Sequence, residues 1–161
     1  MKRSAFTMIE LVVVIVILGI LSSIAVSKMA VTRDDAQITK GRSEIAALRN
    51  AIILYRNTNM LKGNGAKYPS KLDALSTATS SDGNAIFGYD SNDSKEDNKL
   101  LDYPVYAKDT NGHWRKVANN KYSYKITNLD VNFTYIAKIG KFDCKHGIAN
   151  GAQKLCKSLT E

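Results

Sequence analysis

Residues 6–21 read FTMIELVVVIVILGIL, a run of apolar side chains that contains one carboxylate, Glu10. An ionised acid at the centre of a membrane helix costs about 2.5–3.5 kcal/mol on insertion scales. Apolar membrane segments therefore usually lack such a residue. Either the carboxylate lies at the interface near the helix N-terminus, where negative charge is favoured, or a positive group pairs with it.

The apolar run is long enough to cross a membrane. It extends to Val26, and 21 helical residues span about 30 Å, which is the thickness of a bilayer's hydrocarbon core. Lys2 and Arg3 precede it with no acid beside them. The positive-inside rule therefore predicts a cytoplasmic N-terminus, with the remaining chain on the other side of the membrane. A removable signal peptide is the alternative interpretation.

The helical pattern continues beyond the apolar run. An apolar stripe follows with steps of seven, three, four and three residues, at Ile38, Ile45, Leu48, Ile52 and Tyr55. This spacing predicts an amphipathic helix with one buried face. The first strong stop is Lys-Gly-Asn-Gly at 62–65, so the sequence predicts one helix of about 56 residues from Phe6 to Leu61.

In the C-terminal half, apolar and polar residues alternate with the two-residue period that is typical of strands. A short helix is predicted at Tyr68–Leu75 and a long polar loop at 76–99. The predicted strands and the last helix lie at Tyr103–Ala107, Trp114–Ala118, Tyr122–Ile126, Val131–Ile139 and Ala149–Leu159. Asn119-Asn120 predicts a hairpin turn. The resulting fold class is α+β, in which one long helix packs on a small antiparallel sheet of three or four strands.

Two cysteines lie near the C-terminus, Cys144 and Cys156. An exported domain with an even number of cysteines predicts one disulfide, and a loop this short would contribute roughly 3 kcal/mol. Free thiols are one alternative. Zinc binding by Cys144, His146 and Cys156 is another, although no fourth ligand is apparent and the spacing fits no common structural site.

Other binding chemistry has weaker signals. The chain carries 23 basic and 15 acidic residues, a net charge of +8, which usually reflects a solvated surface but can favour nucleic acid. In the predicted hairpin, basic side chains alternate with aromatic ones, an arrangement that can clamp and stack single-stranded nucleic acid: Trp114, Arg115, Lys116, Lys121, Tyr122, Tyr124 and Lys125. A packed hairpin with one basic face is the more common explanation.

Calcium is the cofactor for which the sequence contains a partial motif. Asp90, Asn92 and Ser94 have the spacing that begins a calcium loop, but Lys95 replaces the usual glycine and Leu101 the final ligand. A solvated acidic loop is therefore the default. The chain has no Gly-rich phosphate loop, CxxC motif or HExxH motif, and we expect no enzymatic activity and no required cofactor.

The N-terminal segment resembles a known signature. Basic residues followed by Ala5-Phe6-Thr7-Met8-Ile9-Glu10-Leu11 and an apolar helix resemble the N-terminus of type IV pilins and type II secretion pseudopilins. Tyr68-Pro69-x-x-Leu72 is also similar to pseudopilins but is less diagnostic. The remaining chain agrees in layout only. Ala5 stands where that family usually has glycine.

The resemblance implies how the precursor would be processed. A prepilin peptidase would cut between Ala5 and Phe6, and the new N-terminus of Phe6 would be methylated. Glu10 would then pair with a positively charged N-terminal amine, its own or a neighbour's, during assembly. A lone polar pair of this kind fixes the register of helices that otherwise slide, as it does in coiled coils.

The resemblance also implies domain limits, partners and location. Residues 1–5 would be a leader, 6–27 a membrane and assembly helix, and 28–161 a periplasmic pilin-like domain. Partners would be other pilin or pseudopilin subunits, the prepilin peptidase and an inner-membrane assembly platform. The expected function is that of a fibre subunit in a type II secretion pseudopilus or a type IV pilus, first anchored in the bacterial inner membrane. A minor pilin that binds DNA or surfaces is the alternative.

Overall fold

The computed structural model describes residues 7–88, 100–147 and 151–161. The chain divides into two compact units, Met1–Ala36 and Gln37–Glu161. The elements, in chain order, are α1 (Met8–Leu61), β1 (Ala85–Ile86), β2 (Val105–Tyr106), β3 (Trp114–Ala118), β4 (Lys121–Ile126), β5 (Leu129–Ile136), β6 (Lys141–Cys144) and α2 (Gly151–Thr160). The first unit includes the first part of α1, and the second unit holds the rest of that helix and all later elements.

The long helix ends at the predicted residue and begins at Met8, after Thr7, rather than at Phe6. Its 54 residues stop directly before Lys62, where the glycine-rich segment begins, and Gly63 has a φ of 75°. A left-handed glycine is a common helix terminator, since it lacks the Cβ that makes this conformation costly. In the second unit Ile45, Leu48 and Ile52 are almost fully buried, which confirms the apolar stripe.

The main sheet is antiparallel with the order β3-β4-β5-β6. The predicted hairpin through Asn119-Asn120 is confirmed, because it joins β3 and β4. Val131, Phe133 and Tyr135 are buried in alternation with exposed neighbours, as predicted. The α+β fold class of one long helix on a small antiparallel sheet is thus confirmed.

Two details of the predicted strands are wrong. The strand predicted at Val131–Ile139 ends at Ile136, because the N–H of Ile139 turns back to the carbonyl of Ile136 at 3.2 Å. Gly140, with a φ of 64°, then leads into β6, which was not predicted. The strand predicted at Tyr103–Ala107 is only the two residues of β2, which pair with β1 in a separate small sheet.

The helix predicted at Tyr68–Leu75 is also wrong, because this segment is irregular. The carboxylate of Asp73 accepts a hydrogen bond from the N–H of Leu75 at 3.0 Å, which closes a local turn. The carbonyl of Pro69 accepts one from the hydroxyl of Tyr135 at 2.7 Å. Partners on the sheet therefore replace the hydrogen bonds that a helix would supply.

The C-terminal helix lies against the sheet. It begins at Gly151, and the predicted start at Ala149 falls among residues 148–150, outside the described part of the chain. Cys156 and Leu159 are its buried residues. Arg42 of α1 donates from Nε to the carbonyl of Ser158 at 3.0 Å, so the last turn of α2 has a cation at its negative end.

Candidate functional site

The start of α1 holds the Glu10 carboxylate in a reciprocal set of hydrogen bonds with Thr7. The backbone N–H and the hydroxyl of Thr7 donate to Oε2 of Glu10 at 2.8 and 2.7 Å, and the N–H of Glu10 points back to the Thr7 hydroxyl at 3.4 Å. This is a capping box, which satisfies otherwise unpaired groups at a helix N-terminus. The local spacing Thr-x-x-Glu is the sequence signal for a capping box, and it was not among the predicted features.

An uncharged helical surface follows the capping box. Met8–Ala25 is long and apolar enough to cross a membrane by length and composition, and none of it is buried within the chain. Gly19 faces open space, with nothing within 4 Å of where a Cβ would be. Glu10 is the one ionisable residue of this segment. The arrangement can therefore present one carboxylate on an apolar surface that needs lipid or another helix to cover it.

Several predicted residues lie outside the described part of the chain. These are the cleavage and methylation residues Ala5 and Phe6, and the three candidate calcium ligands Asp90, Asn92 and Ser94. Predictions on these residues stay predictions.

The two cysteines form a disulfide, Cys144–Cys156, which joins the end of β6 to α2. Beside it, Nε2 of His146 lies 3.3 Å from Oδ1 of Asp143 and 3.4 Å from Oγ1 of Thr160. Burial alone would raise the pKa of Asp143, but hydrogen bonds from Lys141, the Cys144 N–H and His146 together lower it. The C-terminal end of the chain is thus attached covalently and by polar contacts.

The interpretation of the hairpin as a stacking surface for nucleic acid is wrong. Trp114, Tyr122 and Tyr124 are each at most 1% exposed, so their rings cannot stack on bases. Lys116 is buried as well and pairs with Asp73 at 2.8 Å. Two further hairpin cations pair with carboxylates: Arg115 with Asp109 and Asp130, and Lys125 with Asp109.

Comparison with known proteins agrees with the N-terminal geometry. Residues 1–26 match the family model of the prokaryotic N-terminal methylation motif. The chain is 40% identical over 77 residues to type II secretion system core protein G of Aeromonas hydrophila, an alignment that covers 46% of this chain and 50% of the relative. The chain is homologous to type II secretion system core protein G. The resemblance to pseudopilins that the N-terminal residues suggested is thereby confirmed.

Other core G proteins give the same result. The Pseudomonas aeruginosa protein is 35% identical over 74 residues, 46% of this chain and 48% of the relative. The Escherichia coli protein is 40% identical over 58 residues, 36% of this chain and 40% of the relative. The chain thus spans about half the length of the core G proteins it matches. No solved structure matches the chain.

Proposed function

We propose that this protein is a pseudopilin-like subunit that assembles through α1 into a type II secretion pseudopilus or a related type IV pilus-like fibre. The observation that carries the proposal is the methylation motif, in which Glu10 caps a helix whose next 15 residues are uncharged and exposed. Such a surface must be covered by lipid before assembly and by neighbouring helices afterwards. The function is mechanical, and no catalytic step is part of it.

Processing and location follow from the same motif. A prepilin peptidase cuts between Ala5 and Phe6, and the amine of Phe6 is methylated. Before assembly the protein lies in the bacterial inner membrane with its N-terminus in the cytoplasm and residues 28–161 in the periplasm. Its partners are other pseudopilin subunits and an inner-membrane assembly platform.

Glu10 has two roles in this proposal. In the precursor it closes the capping box with Thr7, which starts the helix. In the fibre its charge pairs with the positively charged amine of a processed N-terminus. Such an ion pair is strong where water is excluded. Leaving that amine unpaired within an apolar bundle would cost several kcal/mol, so the pair sets the axial position of each subunit.

The capping box allows the two roles to be separated by substitution. Glu10→Val removes both the cap and the charge. Glu10→Gln removes the charge alone, because glutamine also serves at this position of a capping box. We expect both variants to insert into the membrane, since each makes the span less polar. We expect both to fail in fibre assembly.

The measurement compares sheared-fibre or cross-linked oligomer fractions with membrane fractions at matched expression. Assembly of Glu10→Gln at the wild-type level, with failure of Glu10→Val, would show that the cap matters and the charge pair does not. Assembly of both variants would remove Glu10 from the mechanism altogether. In that case an interfacial position of the carboxylate would explain its presence.

A further inference from the structure

The disulfide lies beside a third group that can bind metal. One ligand atom each from Cys144, His146 and Cys156 lies within 4.8 Å of the other two. In a tetrahedral zinc site with bonds of about 2.1–2.3 Å, neighbouring ligand atoms are roughly 3.5–3.8 Å apart. The sulfurs of Cys144 and Cys156 are covalently bonded, so the disulfide must open and the sulfurs must separate before the set can reach that arrangement.

Each ligand is held by contacts other than the disulfide. Cys144 is the last residue of β6 and pairs with Phe133 of β5. Cys156 lies in α2, which the buried Leu159 and the hydrogen bond from Arg42 attach to the rest of the unit. His146 contacts Asp143 and Thr160. Since these contacts do not involve sulfur, we expect the three ligands to stay near one another when the cysteines are reduced.

We propose that the thiol form of this protein binds one thiophilic metal ion, zinc in the first place, through Cys144, His146 and Cys156, with water as the fourth ligand. Thiolate and imidazole are the ligands that zinc prefers, and three protein ligands plus water is a common zinc arrangement. Asp143 is the positioning residue, because its carboxylate holds the imidazole ring. Carboxylates beside metal-bound histidines commonly act in this way.

The disulfide and the metal site exclude each other. A newly made chain carries thiols, and metal binding releases one proton from each. Oxidation then removes the metal-binding site. In the first step, one thiolate attacks the disulfide of a protein oxidant and forms a mixed disulfide. The second thiolate displaces the oxidant as its dithiol, the Cys144–Cys156 bond forms, and the ion leaves. The bound ion thus keeps β6 and α2 together until the covalent bond replaces it.

The test uses the purified full chain in detergent, reduced with a phosphine that is then removed, and Co²⁺ as a spectroscopic probe. We expect one Co²⁺ per chain, a thiolate-to-cobalt charge-transfer band in the near ultraviolet, and displacement by Zn²⁺. Unreduced protein should give no band. Asp143→Asn should weaken binding about 10- to 100-fold, and His146→Ala by at least as much. His113→Ala, which changes the other histidine of the chain, should bind as the wild type does.

Two results would overturn the proposal. One is the absence of the band in reduced wild-type protein. The other is equal affinity in His146→Ala and wild type, because two thiols alone would then account for binding. Fluorescence of Trp114 reports folding in the same samples. If the reduced chain is unfolded, recovery of the native signal with Co²⁺ in the wild type but not in His146→Ala supports the site, and no recovery in either overturns it.

Discussion

At the scale of single residues, two carboxylates that pack against the sheet of the second unit, Glu44 and Asp73, have specific partners. Glu44 of α1 accepts a hydrogen bond from Nε1 of Trp114 at 2.9 Å, and its other oxygen lies 3.8 Å from Nζ of Lys40. Burial raises the pKa of Glu44, and this effect exceeds the opposing effects of Lys40, the Trp114 hydrogen bond and His113. The ionised carboxylate is therefore less stable here than in the unfolded chain.

This pKa shift predicts how stability changes with pH. A raised pKa in the folded state favours folding below the unfolded value and loses that contribution as pH rises through the folded value. Glu44→Gln keeps an acceptor for Trp114 and has no charge. We expect the variant and wild type to have similar stability near pH 4, and the variant to be more stable near pH 7. Urea unfolding followed by Trp114 fluorescence would measure this. A difference that does not change with pH would contradict it.

A second residue-scale feature is the buried ion pair between Asp73 and Lys116, whose side chains are 0% and 3% exposed. Asp73 also accepts hydrogen bonds from the hydroxyl of Tyr122 and the N–H of Leu75. Lys116 has one further acceptor, the carbonyl of Thr77 at 2.8 Å. The pair connects the irregular segment after α1 to the hairpin.

The unequal partners of this pair predict unequal effects of substitution. Removing one member of a buried pair costs about 3–5 kcal/mol, because the other charge stays buried. We expect Asp73→Ala to lower the free energy of unfolding more than Lys116→Met does. In Asp73→Ala, Lys116 is left with only a carbonyl as acceptor, whereas in Lys116→Met, Asp73 is left with two hydrogen-bond donors. The double variant should cost less than the sum of the single ones. Urea unfolding of all four proteins gives the coupling, and additive costs would show that the pair does not act as a unit.

At the scale of elements, the second half of α1 approaches the sheet and α2 closely at Gly41. A Cβ built there would lie 2.6 Å from Cε1 of Tyr124 and 2.8 Å from Cδ2 of Leu159. Both neighbours are fully buried, and the Tyr124 hydroxyl is held by the carbonyl of Gln37 at 2.8 Å. Any larger residue would have to displace these buried side chains, so we infer that glycine is kept here for the close contact although it weakens a helix.

Gly41→Ala is therefore expected to have two opposing effects on the stability of the folded protein. Alanine should gain about 1 kcal/mol of helix propensity. Overpacking of a rigid core typically costs about 1–3 kcal/mol. Because real Cβ atoms do not approach rings to 2.6 Å, we expect the steric cost to exceed the gain and the unfolding midpoint to fall. Ser43→Ala, on the exposed side of the same helix, should leave the midpoint nearly unchanged, and an increase for Gly41→Ala would contradict the close contact.

At the scale of the whole molecule, the chain has parts suited to different surroundings. Met8–Ala25 is apolar and exposed, whereas the unit from Gln37 has a core formed by α1, the sheet and α2, and most of its charged groups other than Asp73 and Lys116 lie outside that core. Residues 1–5 include Lys2 and Arg3, the charges that we expect to stay in the cytoplasm.

We predict that the mature chain begins at Phe6 and carries one methyl group on its amine. Intact mass of the protein extracted from membranes, in a host with a prepilin peptidase, would show the loss of residues 1–5. Ala5→Gly, which restores the residue usual in pilin-like precursors, should be processed at least as completely. A mature N-terminus beyond Val26 would instead establish a removable signal peptide and exclude assembly through α1.

The sequence by itself determined the features that depend on neighbouring residues. Apolar length located the possible span, the 3.6-residue period and the break at 62–65 located α1, and alternation located β5, because each follows from backbone geometry within a few residues. Glu10 was identified in the same way. Its partner Thr7 was equally local, so that omission reflects an overlooked signal rather than missing information.

Only the tertiary structure decided which distant groups meet. Asp73 and Lys116 are 43 residues apart, and Glu44 and Trp114 are 70 apart. No local pattern distinguishes these charges from solvated ones, which is why the sequence suggested a helix at Tyr68–Leu75 and a stacking surface on the hairpin. The position of His146 beside the disulfide likewise depends on how β6 and α2 pack. Burial changes the free energy of a polar group by several kcal/mol, and burial is a property of the folded chain.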